Sequence, residues 1–215
     1  DNSSVSILQN SSGVFSVSQT LSVSAHPIQI AGGDWDSDND TDLAVLLRDN
    51  TLVQIWLNGG TGTFSKQTTT YTVGSLPMGM ISGDWNCDGK QDLAVSNSGD
   101  NTLSLFYGKG TGEFETPVTI SSGRGPGPLA AADFDNDSKM DFVVGHHFLV
   151  STNGVSLLTG DFSLTLSDTS SSTGYGSATS FAATTVKDGS APAAIVISDV
   201  DNDSKLDILI TLPVS

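Results

Sequence analysis

The sequence has little of several features that mark common protein classes. Cys87 is the only cysteine among the 215 residues, so an internal disulfide is excluded. Basic residues are scarce, with 8 Lys plus Arg against 24 Asp plus Glu, which disfavours binding to nucleic-acid backbones. No apolar stretch approaches the roughly 20 residues of a transmembrane helix, and no segment has helical periodicity. No recognisable nucleophile motif occurs, so the sequence predicts a non-catalytic protein without a membrane span.

Negative charge is instead concentrated in four nine-residue stretches, which we call loops 1 to 4. They begin at Asp34, Asp84, Asp133 and Asp199 and hold 16 of the 24 acidic residues. Each offers a carboxylate at positions 1, 5 and 9, Asp or Asn at position 3, and a backbone carbonyl at position 7. Loop 1 has an additional carboxylate at position 7, where the others have lysine. This oxygen-only set suits Ca²⁺, which takes six to eight oxygen ligands.

The candidate metal ligands follow the same five positions in each loop, with up to four Ca²⁺ ions in all. They are Asp34, Asp36, Asp38, Asp40 and Asp42; Asp84, Asn86, Asp88, Lys90 and Asp92; Asp133, Asp135, Asp137, Lys139 and Asp141; and Asp199, Asp201, Asp203, Lys205 and Asp207.

These loops differ from EF-hands, which need a bidentate Glu at position 12 and flanking helices. Position 12 is Val45, Val95, Val144 or Ile210, within apolar, β-branched segments that read as strands. Asp, Asn, Ser and Gly also mark ordinary exposed turns. Four copies with one spacing favour calcium loops inside β-hairpins.

The loops recur 50, 49 and 66 residues apart, which indicates a repeat architecture. A proline stands seven residues before each loop, and further strands follow it. Each unit is therefore predicted to contain four short strands, as in a β-propeller blade, and the fold class is all-β. The units are 1–48, 49–99, 100–150 and 151–215, with a Ser- and Thr-rich insertion at 167–191 that accounts for the long last interval.

The segment "PMGMISGDWNCDGKQDLAVSNSGDNTL", residues 77–103, resembles the FG-GAP or VCBS repeat, the blade of integrin alpha-subunit propellers. The resemblance covers nearly the whole chain and implies Ca²⁺ bound at positions 1, 3, 5 and 9 of each loop. The sequence departs from the pattern at Asn39, Ser138 and Ser204, where the family often has glycine. Propellers of the family usually have more than four blades, seven in integrins.

The phase of the repeats predicts where blades are divided. The first residues, "DNSSVSILQNSSGVF", align with the segments that start at Asp49 and Asp100, and the sequence stops just before another such segment. We therefore expect each unit boundary to lie between the second and third strands of a blade. Two half-blades would then complete one blade, within one chain or with a neighbouring copy. The alternative is an arc of a larger ring.

The expected function is an extracellular calcium-binding module for adhesion, recognition or self-assembly. Loops of this kind typically bind with Kd near 10⁻⁴–10⁻³ M, which only extracellular calcium saturates. The expected partner is a protein or glycan ligand, or further copies of the chain joined through unpaired strand edges. The alternatives are a lectin-like carbohydrate-binding propeller and an accessory domain of a larger secreted enzyme.

The remaining features have simpler interpretations. Trp35, Trp56 and Trp85 occupy repeated positions, which predicts packing between blades rather than a sugar-stacking platform. His146 and His147 are expected to have a strand or surface role and not to bind zinc. Cys87 is expected in an exposed loop, as a free thiol or a cross-link to another chain. Sequons, which predict glycans in a eukaryotic host, occur at Asn2, Asn10, Asn39, Asn136 and Asn202.

Overall fold

The computed structural model describes residues 3–122, 124–133, 140–146, 149–152, 155–158, 165–167 and 193–211. Over these ranges the protein is all-β and has no helix, hence no apolar helix long enough to cross a bilayer. The described strands are β1 (Ser4–Ser11), β2 (Val14–Ser22), β3 (Pro27–Gly33), β4 (Asp42–Leu47), β5 (Leu52–Asn58), β6 (Phe64–Thr72), β7 (Pro77–Gly83), β8 (Asp92–Asn97), β9 (Thr102–Phe106), β10 (Val118–Ser121), β11 (Pro126–Ala132), β12 (Asp141–His146), β13 (Leu149–Thr152), β14 (Val155–Leu158), β15 (Thr165–Ser167), β16 (Ala194–Ser198) and β17 (Asp207–Thr211).

Two complete four-stranded antiparallel sheets occupy the middle of the chain. Sheet I has the order β3-β4-β5-β6, and sheet II repeats it as β7-β8-β9-β10. A proline begins the first strand of each, at Pro27 and Pro77, where its missing N–H is tolerated. Loops 1 and 2 join the first and second strands, which confirms the prediction of acidic loops within β-hairpins.

The sheets are out of phase with the sequence units, as expected. β4 ends at Leu47 and β5 begins at Leu52, so the boundary at 48/49 lies between the second and third strands of sheet I. The boundary at 99/100 divides sheet II in the same way, between Asn97 and Thr102.

The remaining strands form smaller sheets. β1 pairs with β2, β16 pairs with β17, β13 pairs with β14, and β11-β12-β15 form a three-stranded sheet, all antiparallel. β1 and β17 lie in separate two-stranded sheets, so closure by their pairing within one chain is not present in this structure. The described strands form several small sheets and no closed ring. Apart from Ser167, the predicted insertion lies outside the described residues.

The core consists of apolar layers between successive sheets. We call the side of a sheet toward the next unit its following face, and the opposite side its preceding face. The following face of sheet I, with Leu46, Val53 and Ile55, packs on Met80 and Phe106 of sheet II in one buried cluster. Because side chains alternate along a strand, the same strands also supply the opposite face.

Equivalent apolar layers lie on either side of that cluster. The preceding face of sheet I, with Val45, Leu47 and Trp56, packs on Val5 and Leu21 of hairpin β1–β2. The following face of sheet II, which includes Leu103 and Leu105, packs on residues of β11 and β12. Burying such side chains stabilises the fold by roughly 25 cal/mol per Å² of apolar area.

All three tryptophans lie in these layers and are buried, so the predicted packing role is confirmed. Trp56 pairs with Leu43, and Phe106 pairs with Leu93, in matching register. Trp35 contacts the ring of Phe114 across the boundary between sheets I and II, with centroids 6.1 Å apart.

Two glutamines add polar ties between neighbouring sheets. Gln29 Nε2 donates to the carbonyl of Met80, and its Oε1 accepts from the same residue's N–H, both at 2.8 Å. Gln19 makes the same pair with the backbone of Phe64, also at 2.8 Å. These side chains imitate a strand neighbour, and their directional hydrogen bonds fix how the layers sit on each other.

Candidate metal-binding loops

The aspartate at position 1 organises each loop that is fully described. Asp34 Oδ1 accepts from the N–H of Asp38 at 3.1 Å, and its Oδ2 accepts from Asn39 at 3.0 Å. Asp84 and Asp199 make the same two bonds to positions 5 and 6 of their own loops, at 2.8–3.1 Å. The loops therefore share one backbone frame, closed by the first carboxylate.

The aspartate at position 9 ties the loop to the sheet. Asp42, Asp92 and Asp207 each accept from the N–H of position 2 through Oδ2 at 2.9 Å. In sheets I and II the other oxygen accepts a second N–H at 2.8 Å, from Asn58, the last residue of β5, or from Gly108, two residues after the end of β9. These carboxylates are structural anchors as well as candidate ligands.

Burial affects the charge of these anchors. Desolvation raises the pKa of Asp42, although N–H donors from Asn58 and Trp35 oppose it and the charges of Asp38 and Asp34 reinforce it. Desolvation likewise raises the pKa of Asp92, to about 6, with the charges of Asp88 and Asp84 adding to the shift and two N–H donors opposing it. A neighbouring cation would favour the ionised forms.

Left-handed backbone occurs at two positions of every fully described loop. Position 4 has φ of 64° at Ser37, 59° at Cys87 and 61° at Asn202. Position 6 has φ of 70° at Asn39, 82° at Gly89 and 67° at Ser204. Asn39 and Ser204 thus adopt the conformation that the family's usual glycine provides, while Ser138 lies outside the described residues.

Loops 1 and 4 bring three carboxylates together. Single oxygens of Asp34, Asp36 and Asp42 all lie within 4.8 Å of one another, and Asp199, Asp201 and Asp207 form the equivalent group. These are positions 1, 3 and 9 of each loop. Asp38 and Asp203, at position 5, are outside the two groups, and each accepts from the N–H of position 7.

Asp36 has an unsatisfied polar atom within the loop 1 group. Its Oδ1 is buried and has no hydrogen-bond partner. Desolvation raises its pKa first, followed by the charges of Asp42 and Asp38. An unpaired buried carboxylate oxygen is costly, and a metal ion is the group that would satisfy three converging carboxylates.

Loop 2 has the same frame but a different charge arrangement. Within the described part of the chain its carboxylates form no such group. Asn86, at position 3, accepts from the N–H of Asp88 at 3.1 Å, and Lys90 Nζ donates to Asp88 Oδ2 at 3.2 Å. Burial opposes the shift, but hydrogen bonds from Lys90 hold the pKa of Asp88 below its usual value.

Loops 3 and 4 complete the set of predicted ligands. In loop 3 only Asp133 and Asp141 belong to the described residues, and Asp141 is buried at the start of β12. The other predicted ligands of loop 3, Asp135, Asp137 and Lys139, lie outside them. In loop 4, Lys205 Nζ donates to Asp203 Oδ2 at 2.6 Å, as Lys90 does in loop 2.

The comparison with protein families fits this geometry. The model of the FG-GAP-like repeat matches residues 34–95 and 84–144, which together cover just over half of the chain. The chain belongs to the FG-GAP repeat family. Each FG-GAP match begins at the first aspartate of one loop and ends in the strand after the next loop. Loop 4 lies outside both matches, yet its hydrogen bonds repeat those of the FG-GAP loops. A comparison with curated proteins found no match.

Other predicted positions fall as follows. Cys87 is exposed, as expected, and its cross-linking to another chain stays a prediction. His146 is buried within β12, which confirms a strand role, whereas His147 lies outside the described residues. The sequon residues Asn10, Asn39 and Asn202 are exposed, and Asn2 and Asn136 lie outside the described ranges. Glycosylation stays a prediction.

Proposed function

We propose that this FG-GAP chain is an extracellular, calcium-stabilised module of a β-propeller that acts in adhesion, recognition or self-assembly, without catalysis. The observation that carries the calcium assignment is Asp36 Oδ1, a buried carboxylate oxygen without a partner in a group of three converging carboxylates. Family membership supports the same assignment.

Loops 1 and 4 are the strongest candidate sites, because positions 1, 3 and 9 already converge there. Asp34, Asp36 and Asp42 would hold one ion, and Asp199, Asp201 and Asp207 another. Ca²⁺ prefers oxygen ligands such as these carboxylates, and the oxygens at positions 5 and 7 would complete its coordination. Loop 2 has fewer charges and would bind more weakly.

The propeller assignment is supported by the way the sheets stack. Sheets I and II bury apolar side chains between them, and each has a second apolar layer on its other face. Four-stranded antiparallel units stacked through both faces are the blades of a propeller. The acidic loops would then lie at equivalent places on successive blades.

A recognition role rests on protein contacts more than on sugar stacking. All three tryptophans are buried, so none offers the exposed ring face that a lectin-like site needs. The acidic loops instead present repeated carboxylates, so that a bound cation could bridge to an acidic group of a partner.

The calcium assignment is tested by thermal unfolding of the chain in millimolar Ca²⁺ and in chelator, with titration calorimetry. At ten times Kd each site adds about 1.4 kcal/mol, so two sites add about 3 kcal/mol. For a chain of this size that raises Tm by roughly 6 to 11 °C.

The matched control is the variant D34N/D199N, which removes one carboxylate from each group. We expect it to lose most of the calcium-dependent increase in Tm. An identical Tm in calcium and chelator, together with no binding heat, would refute the calcium assignment.

A further inference from the structure

Hairpin β16–β17 has a face equivalent to the following face of sheet I, and no described residue covers it. Val200 stands where Trp35 stands in loop 1, yet 57% of Val200 is exposed against 1% of Trp35. Leu209 is two residues after the position-9 aspartate, as Ala44 is, and it is 44% exposed against 0%. In sheets I and II the residues at these two positions are buried against the next sheet. This hairpin therefore presents half of a layer without its partner.

Sheet I has a matching gap on its preceding face. Ile30 pairs with Val45 in β3–β4, as Met80 pairs with Val95 in β7–β8. Met80 is 1% exposed, but Ile30 is 46% exposed. Hairpin β1–β2 covers the part of this face formed by β4 and β5, through Val5 and Leu21. The part over β3 lacks a cover.

The two hairpins correspond to complementary halves of one sheet. Val5 and Ile7 of β1 face sheet I in the way that Val53 and Ile55 of β5 face sheet II, so β1–β2 matches β5–β6. Hairpin β16–β17 contains an acidic loop and matches β3–β4. β5 pairs with β4, whereas among the described strands β1 has only β2 as a neighbour and β17 only β16. Unpaired strand edges of this kind invite another strand.

We propose that the free edge of β1 pairs with β17 of a second copy of this chain, completing a four-stranded sheet whose following face covers Ile30. This inference rests on the propeller architecture proposed above. A second copy is the occupant because the two hairpins lie at opposite ends of the described stack of sheets. Hairpin β1–β2 packs on sheet I, whereas β16 packs beside β11, which follows sheet II, and β17 and β1 of one chain are in separate sheets. The contact is head to tail, and two copies that make it twice close into a ring in which both edges are paired.

The register of the new pair follows from sheet I. Val45 pairs with Gln54, and Ala44 pairs with Ile55. Transferred to the complementary hairpins, Ile210 pairs with Ser6, and Leu209 pairs with Ile7. Val196 and Leu209 then lie on the same face as Ile7, toward sheet I and Ile30.

The experiment is disulfide trapping between single-cysteine chains in calcium. One chain carries C87S and S6C, the other C87S and I210C, and the two are mixed, oxidised and analysed without reductant. We expect a species of twice the chain mass in the mixture and not in either chain alone. A chain with C87S and Q9C, whose cysteine lies on the opposite face of β1, is the control and should form little cross-link with the I210C chain.

A third protein with C87S, S6C and I210C decides between the possible occupants. If it forms only an internal disulfide at the monomer mass, and the mixture forms none, the edge is filled by the same chain and the second-copy proposal is wrong. If no cross-link forms in any combination, these edges do not pair. Melting the reduced variants in calcium and chelator separates this failure from that of the proposed calcium function, because calcium stabilisation without a cross-link overturns only the pairing.

Discussion

Loops 1 and 2 have the same backbone frame but different charge, with five aspartates in loop 1 against three aspartates and one lysine in loop 2. In both, position 1 closes the loop and position 9 anchors it to the sheet, with hydrogen bonds that agree within 0.2 Å. In loop 1 a third carboxylate, Asp36, belongs to the group and has one buried oxygen without a hydrogen-bond partner. In loop 2 Asn86 takes its place and is satisfied by the loop itself. The frame is therefore independent of the charge it carries, and charge alone should decide how strongly each loop needs a cation.

Exchanging the residues at position 3 is expected to reverse the difference in calcium affinity between loops 1 and 2, and to change that affinity more than any other substitution considered below. D36N should weaken calcium binding at loop 1 by at least tenfold, about 1.4 kcal/mol, and raise Tm in chelator because a desolvated charge is removed. N86D should do the opposite at loop 2. Calorimetry and melting in calcium and chelator measure both. If the two variants shifted calcium affinity in the same direction, the comparison between the loops would be wrong.

Glycine at position 4 should affect both loops equally. Ser37 and Cys87 hold left-handed backbone, which costs a non-glycine residue on the order of 1–3 kcal/mol. Glycine removes that strain but increases the entropy of the unfolded chain by up to about 1 kcal/mol. S37G and C87G should therefore each raise the free energy of unfolding by about 1 kcal/mol, measured by denaturant titration in chelator. A gain in one loop only would mean that the frames are not equivalent.

The residue at position 7 should have a smaller effect. Lys90 forms a partly exposed ion pair with Asp88, and such pairs contribute about 0.2–1 kcal/mol. K90D should therefore tighten calcium binding at loop 2 by no more than about fivefold, and D40K should weaken it at loop 1 by a similar factor. The difference should shrink in high salt because these charges are screened. An effect larger than that of the position-3 exchange would give the lysine a role beyond charge.

Acidity should distinguish the metal-free and metal-bound states. The folded-state pKa values of Asp36, Asp42 and Asp92 are raised, to about 6 for Asp92, above the usual 3.8. Between roughly pH 4 and pH 6 the folded protein then binds more protons than the unfolded chain, so its stability falls as pH rises. In chelator the denaturant midpoint should be higher at pH 5 than at pH 7.

The opposite trend is expected in saturating calcium, where protons compete with the ion for the same oxygens. Asp88 and Asp100 have lowered pKa values and lose their contribution only below about pH 4, outside this window. Parallel trends with and without calcium would show that these carboxylates do not bind it.

The sequence predicted the parts of the fold that depend on local pattern. Four acidic loops before apolar β-branched runs predicted the hairpins, and the repeat of Pro27, Pro77 and Pro126 marks the starts of β3, β7 and β11. The burial of Trp35, Trp56 and Trp85 followed from their repeated positions. These signals are strong because ligand spacing and strand alternation are periodic in the chain itself.

Other parts depend on contacts between distant residues, which leave no local signal. The ties from Gln29 to Met80 and from Gln19 to Phe64 join residues 51 and 45 positions apart. The second role of Asp42 and Asp92, as anchors for the end of the third strand, requires the folded sheet. Left-handed backbone at Ser37 and Cys87 was also missed, because neither residue type favours it.

Identical residues in two repeats also failed to predict the strand register. Thr51 and Thr102 both precede leucine, but Thr51 lies in a turn, whereas Thr102 is the first residue of β9 and pairs with Asn97. The hydrogen-bonded equivalent of Thr102 is Leu52, which pairs with Leu47. The structural alignment of β5 with β9 therefore follows Trp56 and Phe106, which pack on equivalent faces of their sheets, and not the shared Thr-Leu sequence.

The bond from the backbone of Trp35 to Asp42, and from that of Trp85 to Asp92, has a practical consequence. In loops 1 and 2 the residue whose backbone N–H donates to the position-9 aspartate is a tryptophan. The corresponding residue is Phe134 in loop 3 and Val200 in loop 4. The protein thus contains its own optical reporters. Tryptophan fluorescence during a calcium titration should therefore report on loops 1 and 2 and not on loops 3 and 4. Replacing either tryptophan by phenylalanine would assign the signal to a single loop.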